Sequence, residues 1–150
     1  MIDSAVVRLL VFRVGTLSCA AEVETVREIL PRLSVTRIPG APPAVAGMVN
    51  VRGTLVTVVD GWRALGQDGP DAPEPGSGTT VLLEVDGGRR LVGLAVDEVV
   101  DLLAVSGEAL EQRQSLPGLD PTIVRAVGRR GAQAFVVLDT DRLLGPILSS

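Results

Sequence analysis

The sequence predicts a mainly β protein built from two small antiparallel barrels. Apolar residues recur in about ten short runs of strand length, turn residues separate these runs, and the runs do not alternate with long helical segments. Valine and leucine dominate, and 46% of the 150 residues are hydrophobic, but the only aromatic residues are Phe12, Phe135 and Trp62. Branched aliphatic side chains pack well on a pleated sheet. A chain of this length therefore buries a stable core without disulfides.

The first third of the chain reads as a β-hairpin, a helical segment and a further strand. Residues 6–14 and 17–21 are apolar runs separated by a Gly-Thr turn. In residues 22–30, apolar side chains recur at helical spacing and a proline follows, so we expect a short helix or helical turn there. Residues 33–38 alternate as a half-exposed strand does, and the Pro/Gly-rich residues 39–43 form a rigid loop.

Residues 44–66 are the most informative segment and predict strand, tight turn, strand and helical turn. Two β-branched runs flank Arg52-Gly53, where glycine supplies the backbone freedom that a hairpin turn requires. Asp60 follows the second run at the position of a helix N-cap, where a carboxylate can accept hydrogen bonds from exposed backbone N–H groups.

Residues 66–78 are rich in glycine and proline, which is typical of a flexible linker. We expect one domain over residues 1–150, with lobe one at about 15–66 and lobe two at 79–150; the N-terminal strand can pair with either lobe. Beyond the linker the pattern predicts strands at 79–85, 90–96, 99–105, 123–127 and 134–138, a turn at 108–111, a loop at 115–121 and a closing helical turn at 140–144.

Two motifs recur in the same order and indicate an internal duplication. Asp-x-x-Arg-x-Leu-Gly at 60–66 returns at 139–145, an offset of 79 positions. Val-acid-x-Val-x-acid-aliphatic-Leu at 23–30 returns at 96–103, an offset of 73. The nearly equal offsets favour one chain made of two similar halves.

The composition argues against an enzyme. The sequence has no His, Tyr or Lys and a single cysteine, Cys19, so the common general bases and zinc ligand sets are missing. We expect no catalytic residue, no cofactor and no metal. The acidic group Asp97, Glu98 and Asp101 lacks the spacing of a calcium loop and is interpreted as a solvated face. An enzyme or ligand-binding barrel remains an alternative that a deep pocket lined by carboxylates would favour.

The net charge of −4 and the scattered arginines disfavour nucleic acid binding. No apolar run reaches the roughly 20 residues that span a bilayer, so we expect no direct membrane insertion. The first residues lack a basic segment followed by an apolar one, so no signal peptide is predicted and a cytoplasmic location is expected. Cys19 lies in an apolar run and is expected to behave as a small buried hydrophobic residue.

Several motifs together resemble the CheW family of chemotaxis coupling proteins. They include Val-Arg-Glu-Ile-Leu at 26–30, Gly-Met-Val-Asn-Val-Arg-Gly at 47–53, Val-Thr-Val-Val-Asp at 56–60 and Val-Gly-Leu-Ala-Val-Asp-Glu-Val at 92–99. Residues 7–14, 35–42 and 135–139 also follow the family's order, so the resemblance covers nearly the whole chain. It implies two five-stranded SH3-like barrels on a shared core, without catalysis.

The resemblance further implies a cytoplasmic adaptor, recruited to membrane-bound receptor arrays. Such proteins link the cytoplasmic tip of methyl-accepting chemoreceptors to the regulatory domain of a CheA-type histidine kinase. The positions implied for receptor binding are Val26, Glu28, Arg52, Val96 and Val99. Those implied, more weakly, for kinase binding are Val35, Ile38, Val45 and Met48.

Alternatives remain at these positions. Val26 can instead be a core residue, and Arg52 a turn residue or the partner of an internal carboxylate. The chain also departs from the family pattern, with Thr57 in place of proline and Gly61-Trp62 after the Val-Val-Asp sequence. The alternative function is therefore an accessory protein that binds receptors but not the kinase.

Overall fold

The computed structural model describes residues 5–69, 77–112 and 116–149. Within these residues the chain forms eleven strands, two α-helices and three 3-10 turns. The strands are β1 (Val6–Val14), β2 (Leu17–Glu22), β3 (Val26–Pro31), β4 (Val45–Val51), β5 (Thr54–Asp60), β6 (Thr79–Val85), β7 (Arg90–Val96), β8 (Glu98–Ser106), β9 (Glu111–Gln112), β10 (Val124–Arg130) and β11 (Gln133–Leu138). The helices are α1 (Gly61–Ala64) and α2 (Thr140–Leu148), and the 3-10 turns are Val23–Thr25, Gly107–Ala109 and Pro121–Ile123.

The strands form two sheets with the same topology, except that β9 adds a short sixth strand to one of them. The five-stranded sheet has the order β3-β6-β7-β5-β4, and the six-stranded sheet has the order β8-β1-β2-β11-β10-β9. In each sheet one inner pair is parallel, β5 with β7 and β2 with β11, and the other pairs are antiparallel. The prediction of a mainly β, two-lobed fold is confirmed. We call the five-stranded sheet with α1 the first lobe, and the six-stranded sheet with α2 the second lobe.

The sheets do not follow the predicted division at residues 66–78, part of which lies outside the described residues. Strands β6 and β7 come after that division but pair within the first lobe, and β1 and β2 pair within the second. Each half of the duplicated sequence thus gives its first hairpin to the other lobe. The sequence does not reveal this exchange because the hairpin's own pattern is the same in either sheet.

β-Bulges at corresponding positions support the duplication. One bulge leaves Arg27 unpaired between β3 and β6, and its counterpart leaves Val100 unpaired between β8 and β1. A second pair leaves Ala46 unpaired between β4 and β5, and Arg125 between β10 and β11. The members of the two pairs are separated by the offsets of the two sequence motifs, 73 and 79. Bulges bend strands, so both lobes curve their sheets at the same places.

The two lobes share one hydrophobic core. Phe12 of β1 is fully buried and packs in a cluster with residues of both lobes, among them Val59 of β5, Val92 of β7, Leu138 of β11 and Leu144 of α2. A smaller cluster lies within the second lobe and contains Leu9, Val11, Ala20, Ala126, Phe135 and Val137. Burial of aliphatic and aromatic side chains is the main stabilising contribution, so we expect the lobes to unfold together.

Two local predictions were wrong. Residues 22–30 form only a 3-10 turn at Val23–Thr25 before strand β3 begins. Although the apolar side chains have helical spacing, pairing with β6 holds the backbone of β3 extended. Residues 33–38 form no strand; Thr36 makes an isolated bridge to Met48. The closing helical turn is longer than predicted and extends to Leu148.

Gly47→Ala is expected to detach the segment around Thr36 from β4. A Cβ at Gly47 would lie 2.4 Å from the Thr36 carbonyl oxygen, whereas Thr36 and Met48 exchange backbone hydrogen bonds of 2.8 and 2.9 Å. Hydrogen exchange at the Thr36 and Met48 amides should therefore accelerate. Gly145→Ala is the control, since nothing lies within 4 Å of its added Cβ and alanine favours a helix by about 1 kcal/mol. Unchanged exchange in Gly47→Ala would contradict this account.

Cys19 is expected to resist a thiol reagent until the chain unfolds. Its side chain is buried in the shared core, and burial raises the pKa of the thiol from 9.0 to about 12. Above pH 9 the thiol ionises in the unfolded chain but stays protonated in the folded one. The free energy of unfolding is therefore unaffected by this group below pH 9 and falls as the pH rises above it. Labelling with and without urea at pH 8 checks this; rapid labelling of the native chain would contradict it.

Candidate partner-binding surfaces

The turn between β4 and β5 projects Arg52 into solvent. Arg52 and Gly53 have φ angles of 48° and 87°, which is the conformation of a type I′ hairpin turn. The Asn50 Oδ1 accepts a 2.8 Å hydrogen bond from the Gly53 N–H and fixes the turn. The Arg52 side chain is 68% exposed, so the turn both closes the hairpin and presents a charge.

Glu28 and Arg52 form an ion pair across the first lobe. The Arg52 guanidinium Nη2 donates to Glu28 Oε1. Glu28 belongs to β3 and Arg52 to the turn that follows β4, and these strands are the two edges of the sheet. Arg52 is thus a turn residue and the partner of an internal carboxylate, as the alternative interpretation had it. An exposed ion pair contributes about 0–1 kcal/mol to stability, so both charges remain accessible to a partner at small cost.

The second lobe carries a corresponding ion pair. Arg130 Nε donates to Asp101 Oδ2 at 2.7 Å, and Asp101 occupies the position in β8 that Glu28 occupies in β3. The hydrogen bonds from Arg130 and from the Leu102 N–H lower the pKa of Asp101. This second ion pair offers a control of the same chemistry for substitutions at Glu28 and Arg52.

The apolar residues implied for receptor binding differ in exposure. Val26 and Val99 are half-buried and pack against the shared core, so each presents part of its side chain to the surface. Val96 is fully buried in that core. Its placement among the receptor contacts is corrected, because a side chain without exposed surface cannot touch a partner.

Exposed apolar side chains on both edge strands were missed by the sequence analysis. Ile29 on β3 is 46% exposed, and Leu102 on β8 is 65% exposed. The two residues occupy the same position of the duplicated motif. This repetition was the feature of the sequence that could have pointed to them. Each of these exposed side chains is next in sequence to an ion-paired carboxylate and is accessible to a partner.

The residues implied for kinase binding lie at the other end of β4. Val35, Ile38 and Val45 line a cleft of about 600 Å³ between the 32–46 segment and the end of β5. Met48 does not line the cleft; its backbone pairs with Thr36 and holds the segment in place.

The acidic group at the beginning of β8 has structural partners. Asp97 accepts hydrogen bonds from the Gly15 N–H at 2.6 Å and from Arg13 at 3.3 Å. Glu98 pairs with the same arginine at 3.4 Å. In the part of the chain that the structure describes, no cluster of three or more potential metal-ligating side chains occurs. The helices described there are also too short or too polar to cross a membrane.

Comparison with known proteins matches the CheW-like domain family model to residues 8–147. The chain belongs to the CheW family. It is 28% identical to the chemotaxis protein CheW of Klebsiella aerogenes over 136 residues, covering 90% of this chain and 80% of that protein. It is 36% identical to the chemotaxis protein CheW of Rhizobium meliloti over 103 residues, covering 69% and 64%.

Among solved structures, the CheW scaffolding protein TtCheW from Thermoanaerobacter tengcongensis superposes with a TM-score of 0.83. Its sequence is 19% identical, and the match covers 93% of each chain, so it supports the CheW fold of two SH3-like lobes. Family membership confirms the predicted CheW-like chemotaxis coupling protein, a scaffold without enzymatic activity.

Proposed function

We propose that this CheW-like protein couples a methyl-accepting chemoreceptor to a CheA-type histidine kinase. It would bind the receptor's cytoplasmic tip through Glu28, Arg52 and the half-buried Val26 and Val99. The kinase regulatory domain would bind at Val35, Ile38 and Val45, on the segment that Met48 holds. The chain would thereby act in the cytoplasm at membrane-bound receptor arrays.

The observation that best supports this proposal is the separation of the two surfaces along β4. Val45 begins the strand and lines the cleft, whereas Arg52 follows the last residue of the strand. A seven-residue strand spans about 20 Å at roughly 3.3 Å per residue. Two partners can therefore occupy the first lobe at the same time without overlapping at these residues.

The receptor surface combines apolar and charged groups in a way that suits a helical tip. Val26 offers a partly buried apolar contact, and Ile29 on the same strand offers an exposed one. A helix that docks by an apolar face needs charged groups beside that face to fix its register. Glu28 and Arg52 provide one charge of each sign, and either can exchange its present partner for one on the receptor.

The alternative is an accessory protein that binds receptors only. The departure from the family pattern at Gly61-Trp62 was one reason to consider it. The structure locates this departure inside the core, since Gly61 and Trp62 are both buried. A Cβ at Gly61 would lie 2.5 Å from the Ala95 carbonyl oxygen, so glycine is required by close packing against β7. The departure therefore leaves the apolar lining of the cleft in place and does not itself favour the alternative.

Calorimetric titration with one partner at a time separates the two functions. A receptor tip fragment and a kinase regulatory domain should each bind the full chain. Receptor binding without kinase binding up to high micromolar concentrations would favour the accessory protein. Failure to bind the receptor fragment would contradict both.

A further inference from the structure

The cleft beside β5 combines a positively charged end with an apolar wall. Arg32, Arg37 and Arg63 line it together with a single carboxylate, Asp60. Burial raises the pKa of Asp60, and the three guanidinium groups oppose that increase. The cleft therefore carries an excess of positive charge in a chain whose net charge is −4.

The basic groups are held in different ways. The Arg32 Cζ lies 5.5 Å from the ring centroid of Trp62, over the face of the ring. The Arg32 Nη2 donates a hydrogen bond of 3.2 Å to the Val96 carbonyl oxygen. Arg63 Nε lies 3.6 Å from Asp60 Oδ2. Arg37 is exposed and makes no hydrogen bond or ion pair with the residues that the structure describes. Two arginines are thus anchored at the cleft, and the third can turn toward an incoming anion.

A buried hydroxyl at the cleft has no internal partner. Thr80 of β6 lines the cleft and is 1% exposed, and its Oγ1 makes no hydrogen bond with the described residues. A buried polar atom without a partner costs free energy. Because the oxygen itself is buried, an incoming acceptor would reach it only if the neighbouring side chains moved.

We propose that the cleft binds the carboxylate of an acidic side chain presented by an extended segment of a protein partner. The arginines would bind the carboxylate, and Val35, Ile38 and Val45 would contact the apolar neighbours of the acidic residue. Arginine suits this role because its planar guanidinium can donate two parallel hydrogen bonds to one carboxylate. A volume of about 600 Å³ is sufficient for a few residues of such a segment.

This inference deepens the proposed function and depends on it only for the identity of the partner. The three apolar residues of the cleft are those implied for kinase binding. The acidic side chain would then belong to the kinase regulatory domain. The carboxylate chemistry itself can be tested without the kinase.

The test compares two peptides that differ only in charge, acetyl-Val-Glu-Val-amide and acetyl-Val-Gln-Val-amide. Binding to the full chain is followed by calorimetry and by the fluorescence of Trp62, the single tryptophan, which lies under Arg32. We expect the glutamate peptide to bind about tenfold more tightly, as charge-assisted hydrogen bonds predict. Its affinity should fall as salt is added.

Arg37→Gln should remove this tenfold preference without affecting the fold, because the exposed Arg37 side chain makes no described hydrogen bond or ion pair and acts on Asp60 only at longer range. Arg89→Gln, in the turn between β6 and β7 and outside the cleft lining, is the matched control and should retain the preference. Equal binding of the two peptides, or no binding of either at millimolar concentration, would overturn the inference. So would an Arg37→Gln chain that keeps the full preference.

A second titration, with the kinase regulatory domain, distinguishes this inference from the proposed function. Weaker kinase binding by Arg37→Gln than by the native chain and by Arg89→Gln would support both. Equal kinase binding by all three chains would overturn the assignment of the acidic side chain to the kinase and leave the proposed function standing. A kinase domain that does not bind the native chain would contradict the proposed function, while the peptide comparison would still decide the carboxylate site.

Discussion

Arg52→Ala will weaken the binding of a receptor tip fragment by about tenfold, in line with the loss of a charged contact at a protein interface. The same substitution will change the free energy of unfolding by less than about 1 kcal/mol, because the ion pair with Glu28 is exposed. Calorimetric titration and urea unfolding measure the two effects. A loss of affinity without a loss of stability identifies Arg52 as a binding residue, since substitution of a structural residue would lower both the affinity and the stability.

Arg130→Ala is the matched control for Arg52→Ala. Arg130 pairs with Asp101 in the second lobe as Arg52 pairs with Glu28 in the first, and its side chain is also exposed. It should have the same small effect on stability and leave the receptor affinity within about twofold, because neither Arg130 nor Asp101 is among the positions implied for the receptor. Equal losses of receptor affinity in the two variants would contradict a receptor site whose charged contacts are Glu28 and Arg52.

Phe12→Ala is expected to lower the free energy of unfolding by about 3–5 kcal/mol, the usual cost of removing a fully buried aromatic ring. Phe12 is 0% exposed and packs in the core that both lobes share. The lost contacts therefore destabilise the chain as a whole. Urea unfolding followed by circular dichroism and by Trp62 fluorescence should give one coincident, shifted transition.

Leu102→Ala provides the comparison for Phe12→Ala. Leu102 is 65% exposed, so its truncation should change the free energy of unfolding by less than about 0.5 kcal/mol. Two separate transitions in Phe12→Ala, one for each lobe, would contradict a common core. A loss in Phe12→Ala no larger than that in Leu102→Ala would do the same.

Local sequence patterns predicted most strands and the turn at Arg52-Gly53. These features depend on alternation and on backbone conformations that few residues adopt, and both are visible in a single sequence. Asp60 begins α1 as predicted, but its carboxylate pairs with Arg63 and makes no capping hydrogen bond. In the duplicated motif, Asp139 does cap α2 and accepts from the Arg142 N–H at 3.1 Å.

The exchange of hairpins between lobes could not be predicted, because strand pairing over long sequence separations leaves no local signature. The same limit applied to exposure. Val96 and Leu102 are both aliphatic and lie on successive strands, yet one is buried in the shared core and the other faces solvent. Which side of a strand is buried depends on the partner sheet and on the bulge at Val100, and neither can be read from the residue types.

The most direct test of the proposed coupling function is a three-component retention experiment. A receptor tip fragment is immobilised and a kinase regulatory domain is added, with and without the native chain. We expect the kinase domain to be retained only when the native chain is present, and its retention to fall in proportion to that of the chain when Arg52→Ala replaces it. Retention of the chain by the receptor without retention of the kinase domain would contradict the coupling function.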